Sequence, residues 1–547
     1  MFKILLSIIF VFSCSLASAE EGDWINYGGD LGQTRFVNNS EINSENISQL
    51  RLKWMFQTGV VGSFENTPLV EGNVMYISTP YNYIYAINVS TGQSLWRYKH
   101  QLELTNFCCG PNNRGLAVDE QYVFMTTLDA ELVAIDKKTG KLAWEIVLAD
   151  SEYGYSGTEA PLLYEGMVIT GIAGAEYGIR GFISAHNAKT GELLWRWYTI
   201  PEPDEKQPDG TTGWYGTFQE KADGINSLNR DIKAEKAQIA AGDYADAWKK
   251  GGGSAWTSKS VDPKTGLLFA TIGNPAPDLD GSVRPGDNRW TNSLVALDIT
   301  TGNLVWGYQY LPHDVWDLDS ASPPILTQAK NAHDQMVDVV VHGGKTGWAY
   351  IHDRKTGTLI RRSEAMIDQK NLFELPTKGL GTEMWPGANG GVNWSPGSVN
   401  PETRQVYYSN LHQPMHYEVR SVPWRKGRLW LGGAFKGVPN AVQSGNISAV
   451  NIDTGKIDWQ YITKQPMIGG SLTTAGNLVF SGGDDGYFIA LDATTGEKVW
   501  QFQTGAGVNA APMAFEIDGK LHIAVAAGGN AQINTSRGGT VLVFSVD

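Results

Sequence analysis

The amino-acid sequence predicts an all-β fold, an eight-bladed β-propeller with tryptophan-docking repeats. Three observations predict it: a hairpin pattern recurs seven times, the chain ends read as halves of an eighth unit, and the composition suits strands and turns. Of 547 residues, 63 are Gly, 19 Trp and 22 Tyr, and only 18% are charged. That is too aromatic for a disordered chain and too rich in Gly for a helical bundle.

In chain order, residues 1–19 (MFKILLSIIFVFSCSLASA) come first. One Lys, an apolar run from Ile4 to Phe12 and the small-x-small end Ala17-Ser18-Ala19 read as an export signal cleaved near Ala19. A lipoprotein signal ending at Cys14 is the alternative, although Phe12 fits it poorly. The expectation is a periplasmic protein in which residues 20–547 form one propeller with no transmembrane segment. The net charge of −14 argues against a nucleic-acid partner.

The repeat begins next. Ala86-x-Asn88 is followed by Thr91-Gly92 and then Trp96, and Ala134-x-Asp136 by Thr139-Gly140 and Trp144. Further copies run Ala185 to Trp195, Ala296 to Trp306, Ala449 to Trp459 and Ala490 to Trp500. A degenerate copy, Ile351-x-Asp353 with Thr356-Gly357, has Arg361 in the Trp place. Each reads as a strand ending in Asp or Asn, a tight turn through Gly, and a second strand carrying Trp. Four strands per unit make a blade. Arg51–Gln57 and Thr540–Val546 are strands without partners, and joining them closes the ring and hides two sheet edges.

Two stretches interrupt the pattern. Residues 201–250 carry a polar segment of helix-forming composition, 229–247, and residues 361–393 show no strand pattern. Insertions in a rigid ring commonly line its mouth, so both are expected there. Cys108 and Cys109 are adjacent, and export favours a disulfide between them, two reduced buried thiols being the alternative.

Several local motifs then carry a specific resemblance: CCGPNNRG (108–115), GAEYGIRG (174–181), GGGSAW (251–256), GNPAP (273–277) and HDVWDLD (313–319). With the hairpin repeat, they make the chain resemble the quinoprotein alcohol dehydrogenases, the pyrroloquinoline quinone (PQQ) enzymes of the methanol/ethanol dehydrogenase group. The resemblance implies PQQ held between the Cys108–Cys109 disulfide and the ring of Trp256. It implies cofactor contacts from Glu65, Arg114, Thr158, Gly174, Ala175, Ser254, Lys345, Asn393 and Trp394. It implies a metal ion held by Glu176, Asn274, Asp317 and Asp319, with Asp317 as catalytic base. Ala173 departs from the pattern, since relatives often place a hydroxyl there.

The residue types agree with that chemistry. PQQ carries three carboxylates on a flat ring system, which calls for an Arg fork, a Lys charge, hydroxyls and a planar partner. Glu, Asp and Asn offer hard oxygen ligands, suited to calcium-like ions. Asp317 and Asp319 are two apart, so an extended segment would put both carboxylates on one face. With Glu176, three negative charges suit a trivalent ion, which places a lanthanide ahead of Ca2+. The implied partners are a small alcohol substrate and a separate periplasmic cytochrome c; the acidic balance favours a basic carrier. The oligomeric state stays open, a homodimer among the options. The rival readings are a non-catalytic exported scaffold for envelope assembly and a carbohydrate-binding propeller.

Overall fold

The structure is a computed structural model that describes residues 22–104 and 110–546. The expected export signal and the Cys108–Cys109 pair lie outside the described residues. Among these residues the fold is all-β, with one α-helix (Ile232–Ala241) and short 3-10 turns. Eight sheets contain four antiparallel strands in a row, over residues 69–99, 117–147, 162–198, 260–309, 325–362, 398–463, 472–503 and 513–545. In the last of these the fourth strand comes from the other end of the chain: Arg51–Gln57 pairs antiparallel with Thr540–Ser545.

The recurring hairpin is a local device. In the copy at 131–147, Asp136 Oδ1 accepts from the Thr139 amide (2.8 Å) and the Thr139 hydroxyl (2.7 Å). The Gly140 amide donates to the Asp136 carbonyl at 2.9 Å. Gly140 sits at φ +69°, and a Cβ there would come within 2.6 Å of the Trp96 ring. Glycine is therefore required twice, for the backbone and for the close approach. The register shifts by one residue beside each of the seven turns, as between Ala86 and Ile87 or Ala490 and Leu491.

The tryptophans point from one sheet to the next. Nε1 donates to a carbonyl in the following turn from Trp54 (Val89), Trp96 (Lys137), Trp195 (Ile299), Trp306 (Arg354) and Trp459 (Ala493), at 2.7–3.3 Å. In the degenerate copy Arg361 Nη1 donates to the Ile452 carbonyl at 3.1 Å, so a guanidinium replaces the indole. Trp144 packs on Gly191 without a partner for Nε1. Trp500 meets Phe544 edge-on at 5.4 Å, across to the sheet that holds both chain ends. Each of the five hydrogen-bonded tryptophans joins apolar burial to a hydrogen bond contributing about 1 kcal/mol.

The two interruptions differ. Residues 232–241 form the expected helix, started by Asp231 accepting from the Ala234 amide and ended at Gly242 (φ 78°). Residues 361–393 are not strandless: Thr382–Met384 pairs with Met415–Val419, which pairs with Gly433–Gly437. That small sheet was hidden because its partner strands lie more than thirty residues downstream in the sequence.

Candidate active site

A cavity of about 280 Å³ opens where the loops entering successive sheets meet. Its polar wall includes Arg114, Thr158, Gly174, Glu176, Ser254, Trp256, Asp317, Asp319, Lys345 and Asn393. Ten of the positions singled out from the sequence thus surround one space. Glu65, Ala175, Asn274 and Trp394 stand just behind that wall. Cys108 and Cys109 are outside the described residues, although Gly110, the next residue, lines the cavity.

Arg114 is held from several sides. Nη2 lies 2.9 Å from Glu65 Oε2, Nη1 donates to Thr158 Oγ1 at 3.0 Å, and the guanidinium lies 4.8 Å from the ring centroids of both Trp256 and Trp394. Glu65 also accepts from Asn112 (3.1 Å) and Asn530 (2.7 Å), and is fully buried. Burial raises its pKa, while Arg114 pulls it down. Glu65 therefore positions Arg114.

Behind Trp256 sits a buried ion pair between Lys259 Nζ and Glu159 Oε2, both side chains 1% exposed. Lys259 Nζ also donates to the carbonyls of Ala255 (3.2 Å) and Thr257 (3.0 Å), the residues flanking Trp256. Glu159 accepts from the Thr170 hydroxyl (3.0 Å) and the Gly171 amide (2.6 Å). Sequence reasoning passed over this pair, whose members are a hundred residues apart.

The acidic side is built from loops. Glu176 sits in the 3-10 turn Ala175–Tyr177, between left-handed Gly174 (φ 114°) and Gly178 (φ 68°). The Ala175 amide donates to Ser254 Oγ at 2.8 Å. The Asn274 amide donates to Asp319 Oδ1 at 2.7 Å. Lys345 Nζ lies 3.5 Å from Asp317 Oδ1 and 3.7 Å from Asp319 Oδ2, and donates to the Asp317 carbonyl at 2.9 Å. The segment is not extended: Asp317 lies at φ 58°, so strand alternation does not aim the two carboxylates. Lys345 gathers them instead. Glu176, Asp317 and Asp319 do not draw together into a compact cluster; among the described residues, His100, Asp129 and Glu131 form the one group of three whose ligand atoms lie within 4.8 Å of one another.

Electrostatics follow from this crowding. Burial raises the Asp317 pKa well above the carboxylate range; Lys345 lowers it, and Asp319 and Glu176 raise it again. Burial alone lowers Lys345, but Asp317, Asp319, Glu176 and Asp314 outweigh it and raise its pKa. Burial pushes Asp314 up to about 6. A cation entering here would be stabilised by several carboxylates and would return Asp317 to its ionised form.

One stretch of the remaining wall is apolar: Ala388, Met415, Leu429, Leu431 and Phe435. Residues 361–393 thus reach the cavity through Ala388, Asn389 and Asn393, whereas no residue of 201–250 lines it. The latter braces the wall from outside, with Lys250 Nζ 4.2 Å from the Trp424 ring. Sequence reasoning also missed Asp278, which lines the cavity at 1% exposure. The motif GNPAP stops one residue short of it.

A family model described as "PQQ: Glucose/ethanol/alcohol dehydrogenase, beta-propeller domain" matches residues 24–227, 230–372 and 442–523. The chain is 33% identical over 515 residues to the quinoprotein alcohol dehydrogenase PedH of Pseudomonas putida, covering 89% of this chain and 83% of that protein. It is 32% identical over 542 residues to methanol dehydrogenase [cytochrome c] subunit 1 of Paracoccus denitrificans, covering 93% and 83%. Among solved structures, a europium-containing methanol dehydrogenase superposes with a TM-score of 0.82 at 28% identity, covering 96% of this chain and 98% of that one.

Proposed function

The chain belongs to the quinoprotein alcohol dehydrogenases and is a PQQ-dependent alcohol dehydrogenase, and from that premise we propose that it oxidises small alcohols to aldehydes in the periplasm. We read residues 20–547 as one eight-bladed propeller, its blades docked by the tryptophans and its ring joined by the terminal strands. The observation that carries the functional reading is the convergence of Arg114, Glu176, Trp256, Asp317, Asp319 and Lys345 on one cavity.

The donor set fits the cofactor. Asn112 Oδ1, Arg114 Nε and Trp394 Nε1 are buried there without a hydrogen-bond partner, polar atoms that a carboxylated, carbonyl-bearing ring can satisfy in part. Arg114, Lys345, Thr158 and Ser254 would bind its carboxylates and carbonyls, with Gly174 and Ala175 bringing backbone alongside. Trp256 would offer its flat face, the Cys108–Cys109 pair the opposite one, and Asn393 with Trp394 the rim. Glu176, Asn274, Asp317 and Asp319 would hold the metal ion. When bound, PQQ with its metal supplies the electrophilic carbon that accepts a hydride from the alcohol. Asp317 takes the hydroxyl proton on its carboxylate, and Lys345 holds that carboxylate in place. The electrons leave to a separate cytochrome c, the acceptor for which the Paracoccus denitrificans relative is named.

A lanthanide is the metal we favour over Ca2+. Asp319 supplies an additional buried carboxylate, and the europium-containing structural relative is consistent with it. The test is reconstitution of metal-free protein with PQQ and either La3+ or Ca2+, followed by alcohol-driven dye reduction. Activity with La3+ that Asp319→Ala abolishes is the expected result. Full activity with Ca2+ alone, indifferent to that substitution, refutes the metal assignment, and no alcohol-driven reduction with either ion refutes the proposed reaction.

A further inference from the structure

A histidine and two carboxylates meet outside the cavity, at the seam between neighbouring sheets. His100 follows Ser94–Lys99, the last strand of the 69–99 sheet, while Asp129 and Glu131 belong to the turn after Tyr122–Thr126 in the 117–147 sheet. His100 Nε2 lies 3.0 and 3.1 Å from the two oxygens of Asp129 and 3.6 Å from Glu131 Oε2. None of the three lines the cavity. A proton on Nε2 serves Asp129 but leaves Glu131 beyond hydrogen-bond reach. Among the described residues, no Lys or Arg forms an ion pair with either carboxylate. Burial raises the Glu131 pKa, and Asp129, Glu145 and Glu103 raise it further, against the pull of His100. One imidazole thus answers the charges of several carboxylates.

The two segments that carry these side chains are already tied together. Asn82, fully buried, accepts from the His100 amide on its carbonyl (3.1 Å) and from the Leu128 amide on its side-chain oxygen (2.8 Å). Outer groups also hold the inner ones. The Tyr98 hydroxyl lies 3.4 Å from His100 Nδ1, which leaves Nε2 as the nitrogen facing the carboxylates. The Thr127 hydroxyl donates to Asp129 Oδ1 at 2.6 Å. Metal-bound imidazoles and carboxylates are typically held from behind in this way. The spacing fits as well. A tetrahedral zinc ion with bonds of about 2.0–2.2 Å sets its ligands about 3.3–3.6 Å apart. Here the separations from Nε2 run from 3.0 to 3.6 Å, and the three ligand atoms all lie within 4.8 Å of one another. The Glu131 side chain is 24% exposed, so an ion has a path in and water can complete its shell. An imidazole with two carboxylates suits zinc, whereas Ca2+ calls for six or more oxygens.

We propose that His100, Asp129 and Glu131 form a second metal site, which takes a divalent ion of the zinc type and links the 69–99 sheet to the 117–147 sheet. The ion replaces the proton on Nε2, which is released to solvent, while Nδ1 keeps its hydrogen towards Tyr98. His100 opens the stretch of chain that reaches the cavity wall at Gly110, Asn112 and Arg114. The link therefore anchors the start of that stretch and takes no part in the oxidation of alcohol. The site stands independently of PQQ and of the proposed reaction.

The experiment is a calorimetric titration of the full-length protein with Zn2+, after chelator treatment, and again with PQQ and the activating metal filling the cavity. A single equivalent of Zn2+ should bind in both states. Its affinity should fall by about a hundredfold or more in His100→Gln and in Glu131→Gln, and by about tenfold in Tyr98→Phe, which removes only the outer hydroxyl. Zn2+ should also raise the urea midpoint of the wild type and not that of His100→Gln, both unfolding cooperatively. Absence of Zn2+ binding in both states overturns the proposal and leaves His100 and Asp129 as an ordinary ion pair. An equivalent that persists undiminished in both Gln variants places the ion elsewhere and overturns it too. Ca2+ binding as tightly as Zn2+, with the same dependence on His100 and Glu131, refutes the assignment to a zinc-type ion.

Discussion

Replacing Lys259 by Met tests how the floor beneath Trp256 is held. The substitution keeps most of the side-chain volume and removes a charge that is 1% exposed. Three interactions disappear together: the ion pair with Glu159 and the hydrogen bonds to the carbonyls of Ala255 and Thr257. Glu159 retains the Thr170 hydroxyl and the Gly171 amide, so it is solvated in part and still lacks a counter-charge. Breaking a buried pair from one side costs about 3–5 kcal/mol, a large share of the roughly 5–15 kcal/mol that holds a folded protein together. The sign of the pH dependence follows. Burial already raises the Glu159 pKa, and Lys259 is the main opposing influence. In the variant the folded carboxyl binds its proton more tightly than the unfolded one, so the deficit is smallest near pH 4 and grows as pH rises. Urea unfolding followed by tryptophan fluorescence at several pH values measures this. The double variant Glu159→Gln/Lys259→Met removes both charges and should recover at least half of the loss. A single variant that loses less than about 1 kcal/mol at pH 8, or a double variant no better than the single, refutes the reasoning.

Asp317→Asn should lower alcohol turnover by about a hundredfold or more, the scale of a lost general base, in a protein that still unfolds cooperatively; steady-state dye reduction measures it, and near-normal kcat removes Asp317 from the proton step. Burial raises the half-buried Asp484 to about 7, against the hydrogen bond from Asn509. Its folded form therefore holds a proton that the unfolded chain has released, and stability falls as pH rises from about 4 to 7. Asp484→Asn should flatten that part of the profile and gain about 1–2 kcal/mol at pH 8, as read from unfolding midpoints; an unchanged profile assigns the slope to other groups.

What could be read from the sequence was local, and what could not was long-range. The repeat is legible because each turn is closed within about six residues: Asp136 holds Thr139, and Gly140 folds back onto the Asp136 carbonyl. The docking partner of Arg361 follows from the same offset, since a guanidinium also reaches a carbonyl from the Trp position. Most site positions were legible through short motifs at the mouths of successive sheets. The inference failed where a side chain is aimed by something remote. Asp317 and Asp319 were placed by strand alternation, but the backbone turns at Asp317 and the shared partner is Lys345, 28 residues away. The apolar wall at 415–435 was invisible because its strands find their partner at Thr382–Met384. Lys259 reads from sequence as an ordinary charge, and becomes the support of Trp256 only when Glu159 is brought across from the preceding sheet. Asp278 shows the same limit most sharply. Four residues beyond Asn274, it reads as part of a polar loop, and only the Leu279–Leu431 bond sets it against an apolar wall. Motifs therefore identify the residue types that meet at the cavity, whereas remote contacts such as the Leu279–Leu431 bond decide what Asp278 is set beside.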